Sequence, residues 1–170
     1  GNDIQISRAA GLDQHDFTGT FDGQGNTIKL AFGTSQNRYT DHAAVFRNTE
    51  WASSEQYAKI QNLNVNGTIY TASNVIYDAG LVAKAFGGLE ISNCTSDVII
   101  NTSNQFAGGF VGYNQGKLDI VNCRSNATIY STVNGDGTHG GFVGNHHSDE
   151  LTIEGCVFTG KLLTTATNST

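Results

Sequence analysis

Proline and methionine are absent from the 170 residues, and charged side chains make up only 14% of them. So little charge, beside a hydrophobic content of 38%, excludes an intrinsically disordered chain, which needs the opposite balance. Basic residues are scarce: nine Lys and Arg stand against fifteen Asp and Glu, for a net charge of −6. With no basic stripe to displace counterions from phosphates, nucleic acid is not an expected partner. No apolar run approaches the roughly 20 residues of a membrane-spanning helix, so no membrane span is expected in this stretch. The usual helix formers give way to Gly, Asn, Thr and Ser, while Ile, Val, Thr, Tyr and Phe favour strands. No leader is visible and Gly1 reads as a tag scar. The chain is expected to be one domain over residues 1–163, cut from a longer protein, with 164–170 a polar Thr-rich tail or a linker to a further domain.

What the sequence does contain is a repeat. One phrase recurs as Ala79-Gly80-Leu81-Val82-Ala83, Gly108-Gly109-Phe110-Val111-Gly112 and Gly140-Gly141-Phe142-Val143-Gly144, with a weaker copy at Ala43-Ala44-Val45-Phe46. A second phrase follows each: Ile60-Gln61-Asn62-Leu63, Ile91-Ser92-Asn93-Cys94, Ile120-Val121-Asn122-Cys123 and Ile153-Glu154-Gly155-Cys156. From Leu63 to Cys94, Cys123 and Cys156 the steps are 31, 29 and 33 residues. Inside each unit the apolar period is two, as in Leu118 and Ile120 or Cys94, Ser96, Val98 and Ile100, which means strands. Such a unit cannot bury its apolar face alone, but stacked units can. The expected fold is all-β: a right-handed parallel β-helix of about four to five coils with about three strands each, its hand following from crossover chirality. Ile60, Ile91, Ile120 and Ile153 should form one buried column and Leu63, Cys94, Cys123 and Cys156 another. Asn62, Asn93, Asn122 and Gly155 share the bend between them, and Asn and Gly are the residues that tolerate positive φ, so a left-handed backbone is expected there.

Gly-Gly-Phe-Val-Gly, a turn and then Leu-x-Ile-x-Asn-Cys resembles the short repeats called GLUG motifs. The early segment from Phe17 through Asp22-Gly23-Gln24-Gly25-Asn26 to Ile28 resembles the opening coil that commonly precedes them. The resemblance covers residues 3–163 and departs from the pattern in the first unit, where Ala43-Ala44 replaces Gly-Gly and the insertion 48–57 follows. It implies a bacterial cell-surface or secreted, extracellular setting, in adhesin-like proteins and the non-catalytic parts of IgA-specific metallopeptidases. It implies no catalytic residues.

Candidate chemistry is sparse. The three cysteines occupy a position that Leu63 fills without sulfur, so packed free thiols are expected rather than a disulfide or a zinc site. Asn134-Gly135-Asp136-Gly137-Thr138 places oxygens at alternate positions, like half of a calcium loop, making Asn134, Asp136 and Thr138 candidate metal ligands. Asp22-Gly23-Gln24-Gly25-Asn26 has the same spacing. The plainer reading of both is a Gly-rich turn, and no other cofactor is expected. His146-His147-Ser148-Asp149-Glu150 carries metal-ligating types, but neighbours on an extended chain point opposite ways, which favours a solvated turn. Glu90 and Asp119 share an outward position on adjacent coils, the one carboxylate pair suggestive of acid–base chemistry.

The loops 71–78, 102–107 and 132–139 should emerge along one edge, where recognition is usually carried. Tyr70, Asn101 and Tyr130 occupy one outward row beside it, able to take a sugar chain on the rings and its hydroxyls on the amide. Trp51 and Tyr57, in the first-unit insertion, are rival contacts. The leading expectation is a non-catalytic module for adhesion or for binding a host or matrix glycan or protein, working beside other domains of its own chain. The alternatives are a carbohydrate-active β-helix, lyase-like or hydrolase-like, and a passive stalk.

Overall fold

The computed structural model describes residues 4–11, 16–50, 56–72, 77–133, 137–148 and 150–165. Every regular element among them is a strand. The chain opens with β1 (Ile4–Ile6), β2 (Thr20–Asp22), β3 (Thr27–Phe32), β4 (Phe46–Thr49), β5 (Ala58–Gln61) and β6 (Asn64–Tyr70). One turn follows as β7 (Tyr77–Ala79), β8 (Val82–Phe86), β9 (Leu89–Ser92) and β10 (Thr95–Thr102). The next is β11 (Phe106–Gly108), β12 (Val111–Gln115) and β13 (Leu118–Val121), with β14 (Arg124–Ser125) and β15 (Thr128–Ser131) sharing its last face. The last is β16 (Thr138–Gly140), β17 (Val143–His146) and β18 (Leu151–Glu154), closed by β19 (Val157–Phe158) and β20 (Lys161–Thr164).

Each turn lays its strands parallel on those of the turn before, giving a β-solenoid with four faces. The first face is β7-β11-β16, the second β4-β8-β12-β17, and the third β2-β5-β9-β13-β18. The fourth runs β1-β3-β6-β10 and then forks into β14 with β19 and β15 with β20. The all-β parallel class is as the repeat requires, with two differences. A turn holds four strands instead of three, because the ends of the supposed loops, at Tyr77, Phe106 and Thr138, pair as a short face of their own. Three turns are complete rather than four to five, because the first face starts only at β7; before it, the chain meets that side through single bridges, Ala43 to Asp78 and Tyr39 to Thr71.

The two phrases of the repeat have separate physical reasons. Ile60, Ile91, Ile120 and Ile153 stand in one register column, and the first three are buried. Ile153 departs from expectation and is 45% exposed, since no coil covers the last turn among the described residues. After each isoleucine the backbone bends through φ of 53° at Asn62, Asn93 and Asn122 and 62° at Gly155, the left-handed region that Asn and Gly enter at least cost. The amides stack as well: Asn93 donates to Asn62 at 3.4 Å and Asn62 to Asp22 at 3.0 Å. In the glycine phrase the solenoid is narrow. A Cβ on Gly109 would stand 2.0 Å from the Gly141 carbonyl and 2.4 Å from Ser125 Oγ. The space is used by hydroxyls from the fourth face, Ser96 donating to the Gly109 carbonyl at 2.6 Å and Ser125 to the Gly141 carbonyl at 2.5 Å. At the corner both Phe110 and Val111 are buried in the core, and Phe110 stacks on Phe142 with ring centroids 5.6 Å apart.

Cys94 and Cys123 are buried, Cys156 is half-buried, and all three are free. They form a relay, with the Cys94 amide donating to Cys123 Sγ and the Cys123 amide to Cys156 Sγ, each at 3.4 Å. The contact with Cys94 and burial together hold the Cys123 thiol above its ordinary range, and burial raises that of Cys156, which keeps those two out of the nucleophilic thiolate form, while the same contact with Cys123 lowers the Cys94 thiol. Alkylation of the denatured, unreduced protein should therefore tag three thiols by mass; a single tag would reveal a disulfide.

Candidate binding edge

The site is built where the fourth face hands over to the first. There β6, β10 and β15 end, three connections leave, and β7, β11 and β16 begin. Thr71 and Thr102, which open the first two connections, point inward and are buried. Both donate to the same oxygen of Asp78, Thr71 at 2.7 Å and Thr102 at 2.6 Å, and Asn104 donates to it at 2.9 Å. Asp78 is fully buried, and burial pushes its carboxyl up to about 6 although the three hydrogen bonds pull the other way. Its second oxygen and Asn104 Oδ1 are both buried without a hydrogen-bond partner among the described residues. From outside, Arg38 Nη1 donates to the carbonyls of Thr71 at 2.9 Å and Asn101 at 3.2 Å. One acid inside and one guanidinium outside thus fix the roots of the connections.

Two rows of side chains border this edge. On the fourth face Tyr70, Asn101 and Tyr130 are direct register partners, as the repeat spacing requires, and Leu163 continues the row. Tyr130 is 45% exposed and Tyr70 half-buried. On the first and second faces lies a cluster not foreseen from the sequence. Tyr77 and Phe106 are register partners whose rings stack at 5.8 Å with planes 8° apart. Tyr113 packs against both, at 5.3 and 5.7 Å, and His42 against Tyr77 at 5.0 Å. Lys84, the register partner of Tyr113, lays its ammonium 5.1 Å from the Tyr77 ring, 4.2 Å from Phe86 and 5.7 Å from Tyr113. Burial lowers the Lys84 ammonium below its ordinary range and raises the Tyr77 phenol. All of these side chains are half-buried, so the strip is held by mutual packing yet keeps ring surface at the solvent boundary. The signal was the residue two places before each Ala-Gly or Gly-Gly pair, Tyr77, Phe106 and Thr138.

The remaining candidates fall elsewhere. Trp51, Asn134, Asp136 and Asp149 lie outside the described residues. Tyr57 is not brought to the edge: it covers Gly88 at the corner between β8 and β9, with Lys117 Nζ 5.5 Å from its ring. Thr138 opens β16, where its hydroxyl accepts from Asn145 at 3.4 Å. In the other candidate calcium loop, the Asp22 carboxylate is already engaged by Gln61, Asn62 and the Gln24 amide, which hold it below the usual carboxylate range. His146 turns toward Asn114 at 2.9 Å while His147 is exposed, so the two rings diverge. Among the described residues no group of three or more His, Cys, Asp or Glu is placed to hold a metal. Glu90 and Asp119 are adjacent in register, but each is ion-paired, with Lys59 at 2.7 Å and Lys117 at 3.3 Å. A separate polar cleft of about 440 Å³, lined by Arg8, Tyr39, Asp41 and Arg47 among others, lies beside the opening strands; Arg47 and Asp41 are ion-paired in its wall. Comparison with known protein families, curated proteins and solved structures gives no match.

Proposed function

We propose that this chain is a non-catalytic binding module of a secreted bacterial cell-surface protein, taking a glycan or protein of host or matrix along the edge where the inter-coil connections emerge. The observation that carries the reading is the aromatic strip of Tyr77, Phe106 and Tyr113 with Lys84 above it, set beside connections whose roots Asp78 fixes. Rings packed in advance lose little entropy when a sugar face or an apolar side chain settles on them. The Tyr70–Asn101–Tyr130 row on the far side of the same connections widens the platform and adds an amide for hydroxyl groups. The GLUG-like phrases support the cell-surface setting.

Binding to a glycan array and to immobilised matrix proteins tests this. Replacing Tyr77 and Tyr113 together by Ser should weaken the strongest interaction by about tenfold or more, on the order of 0.7 kcal/mol or more for each ring lost. Replacing Tyr70 and Tyr130 by Ser should weaken it only a few-fold, since those rings make no ring contact of their own among the described residues. Binding that survives both double changes refutes the edge as the site. No binding at all would leave a passive stalk, and release of reducing sugar from any polysaccharide would replace the reading with an enzyme.

A further inference from the structure

The chain has nine basic side chains, and all but one have an evident place. Lys59 pairs with Glu90, Lys117 with Asp119, Arg47 with Asp41 and Arg124 with Asp97. Arg38 donates to two backbone carbonyls, while Arg8, Lys29 and Lys161 are exposed to water. Lys84 differs. It is half-buried on β8, with β4 and β12 paired on either side, and makes no hydrogen bond or ion pair with any described residue. Three rings stand around its ammonium instead, those of Phe86, Tyr77 and Tyr113. Asp16 acts on it through its charge without pairing with it. The Tyr77 and Tyr113 hydroxyls likewise have no hydrogen-bond partner among the described residues, and burial keeps the Tyr77 phenol protonated, a donor. Contact with rings offsets only part of what an ammonium loses on leaving water. A partly desolvated cation beside two unengaged phenols is therefore a place where an anion gains more than it would in open solvent.

We infer that the ligand of this edge is an acidic glycan, whose sugar carboxylate docks on Lys84 beside Tyr77 and Tyr113. The inference rests on the reading of the edge as a glycan site and adds the charge its ligand must carry. The register shows why a sugar chain suits the strip better than an acidic peptide. Along the second face the outward row is Asn48, Lys84, Tyr113 and Asn145, and beside it on the first face run Tyr77, Phe106 and Thr138. The four levels of the longer row span roughly 14 Å at about 4.8 Å per level, the reach of a short oligosaccharide. Apart from Lys84 the row holds two amides and a phenol, groups that pair with hydroxyls, and the rings supply apolar surface for sugar faces. One cation in such a row matches a ligand whose carboxylates are spaced among neutral sugars. A run of acidic side chains would need several. Asp16 is the built-in opponent: its charge supports the Lys84 ammonium and repels an arriving carboxylate.

Titration calorimetry with matched sugars tests this: an oligogalacturonate against its methyl ester, and sialyllactose against lactose. At least one acid should bind about tenfold or more tighter than its neutral counterpart, by an advantage that shrinks with added salt. Which acid does so tells a uronic from a sialic source. Lys84→Met keeps the apolar stem and should abolish the preference while leaving binding of the neutral sugar and the melting temperature at the parent's level or above. Lys84→Arg should retain most of the preference, and Asp16→Asn should raise it a few-fold. Neutral sugars bound as tightly as acids, and lost when Tyr77 and Tyr113 become Ser, would overturn the inference and leave the edge as a glycan site. So would a preference that survives Lys84→Met, one that ignores Asp16→Asn, or a Glu-rich peptide bound in place of the sugars. No binding of any of these probes would overturn the inference and the glycan reading together.

Discussion

Ile120→Asn is expected to lower the unfolding free energy by about 3–5 kcal/mol, the sum of lost burial and an amide left without partners. Ile120 is fully buried, with Ile91 below it and Ile153 above it in register. The narrow interior leaves the amide no route to water. The same change at Ile153 is the internal control. That side chain is 45% exposed, so Ile153→Asn should cost about 1 kcal/mol or less. Urea unfolding followed by circular dichroism measures both. Equal costs at the two positions would mean that the column does not end where the register ends it, and an unaffected Ile120→Asn would refute the register itself.

That register was legible because the repeat states it twice. Two phrases recurring at 29 to 33 residues leave one way to superpose the coils, and it aligns Tyr70, Asn101 and Tyr130 as found. The Asn bends were legible for a chemical reason: Gly155 replaces Asn at one level, and only a left-handed backbone makes those two residues interchangeable. The short first face was not legible. Three residues show too little alternation to distinguish a strand from the end of a loop, and its flanking segments vary in length and composition from unit to unit. Tyr77 and Phe106 were therefore hidden among loop residues, and only two of the levels carry an aromatic ring at that place.

Asp78 was hidden more deeply, and the reason bears on how it works. Its partners Thr71, Thr102 and Asn104 come from two different connections, and the equivalent inward residues on the next two turns are Ala107 and His139, so no repeated pattern marks an acid there. Its trace in the sequence is parity: Asp78 lies two residues before Gly80 and therefore shares its inward side.

The consequence of burying that acid is a distinct pH dependence. Its carboxyl is pushed up to about 6 in the fold, above the roughly 3.9 of an unfolded chain. The folded state thus holds its proton more tightly than the unfolded state does. The stability this contributes is fully present below about pH 4 and is lost as pH rises through about 6, a change of about 2–3 kcal/mol for this residue. The structure gives the proton a place. Asp78 Oδ1 has no hydrogen-bond partner among the described residues, so it is the oxygen left free to carry the proton. Asp22 and Asp41, whose carboxyls are held low by hydrogen bonds from Gln61 and Asn62 and by Arg47, act in the opposite sense: their contributions are present above the unfolded value and lost as pH falls. The whole protein's pH curve mixes these, so the informative quantity is the difference from Asp78→Asn. That variant keeps an acceptor for Thr71, Thr102 and Asn104, adds a permanent donor and removes the buried charge. It should match the parent near pH 4 and exceed its stability by about 2–3 kcal/mol above pH 7. Asp78→Ala, which strands three buried donors, should fall below the parent at every pH by on the order of 2 kcal/mol or more. Denaturant unfolding of the three proteins from pH 4 to pH 8 decides the matter; parallel curves for parent and Asp78→Asn would mean that no proton is taken up at Asp78 across this range.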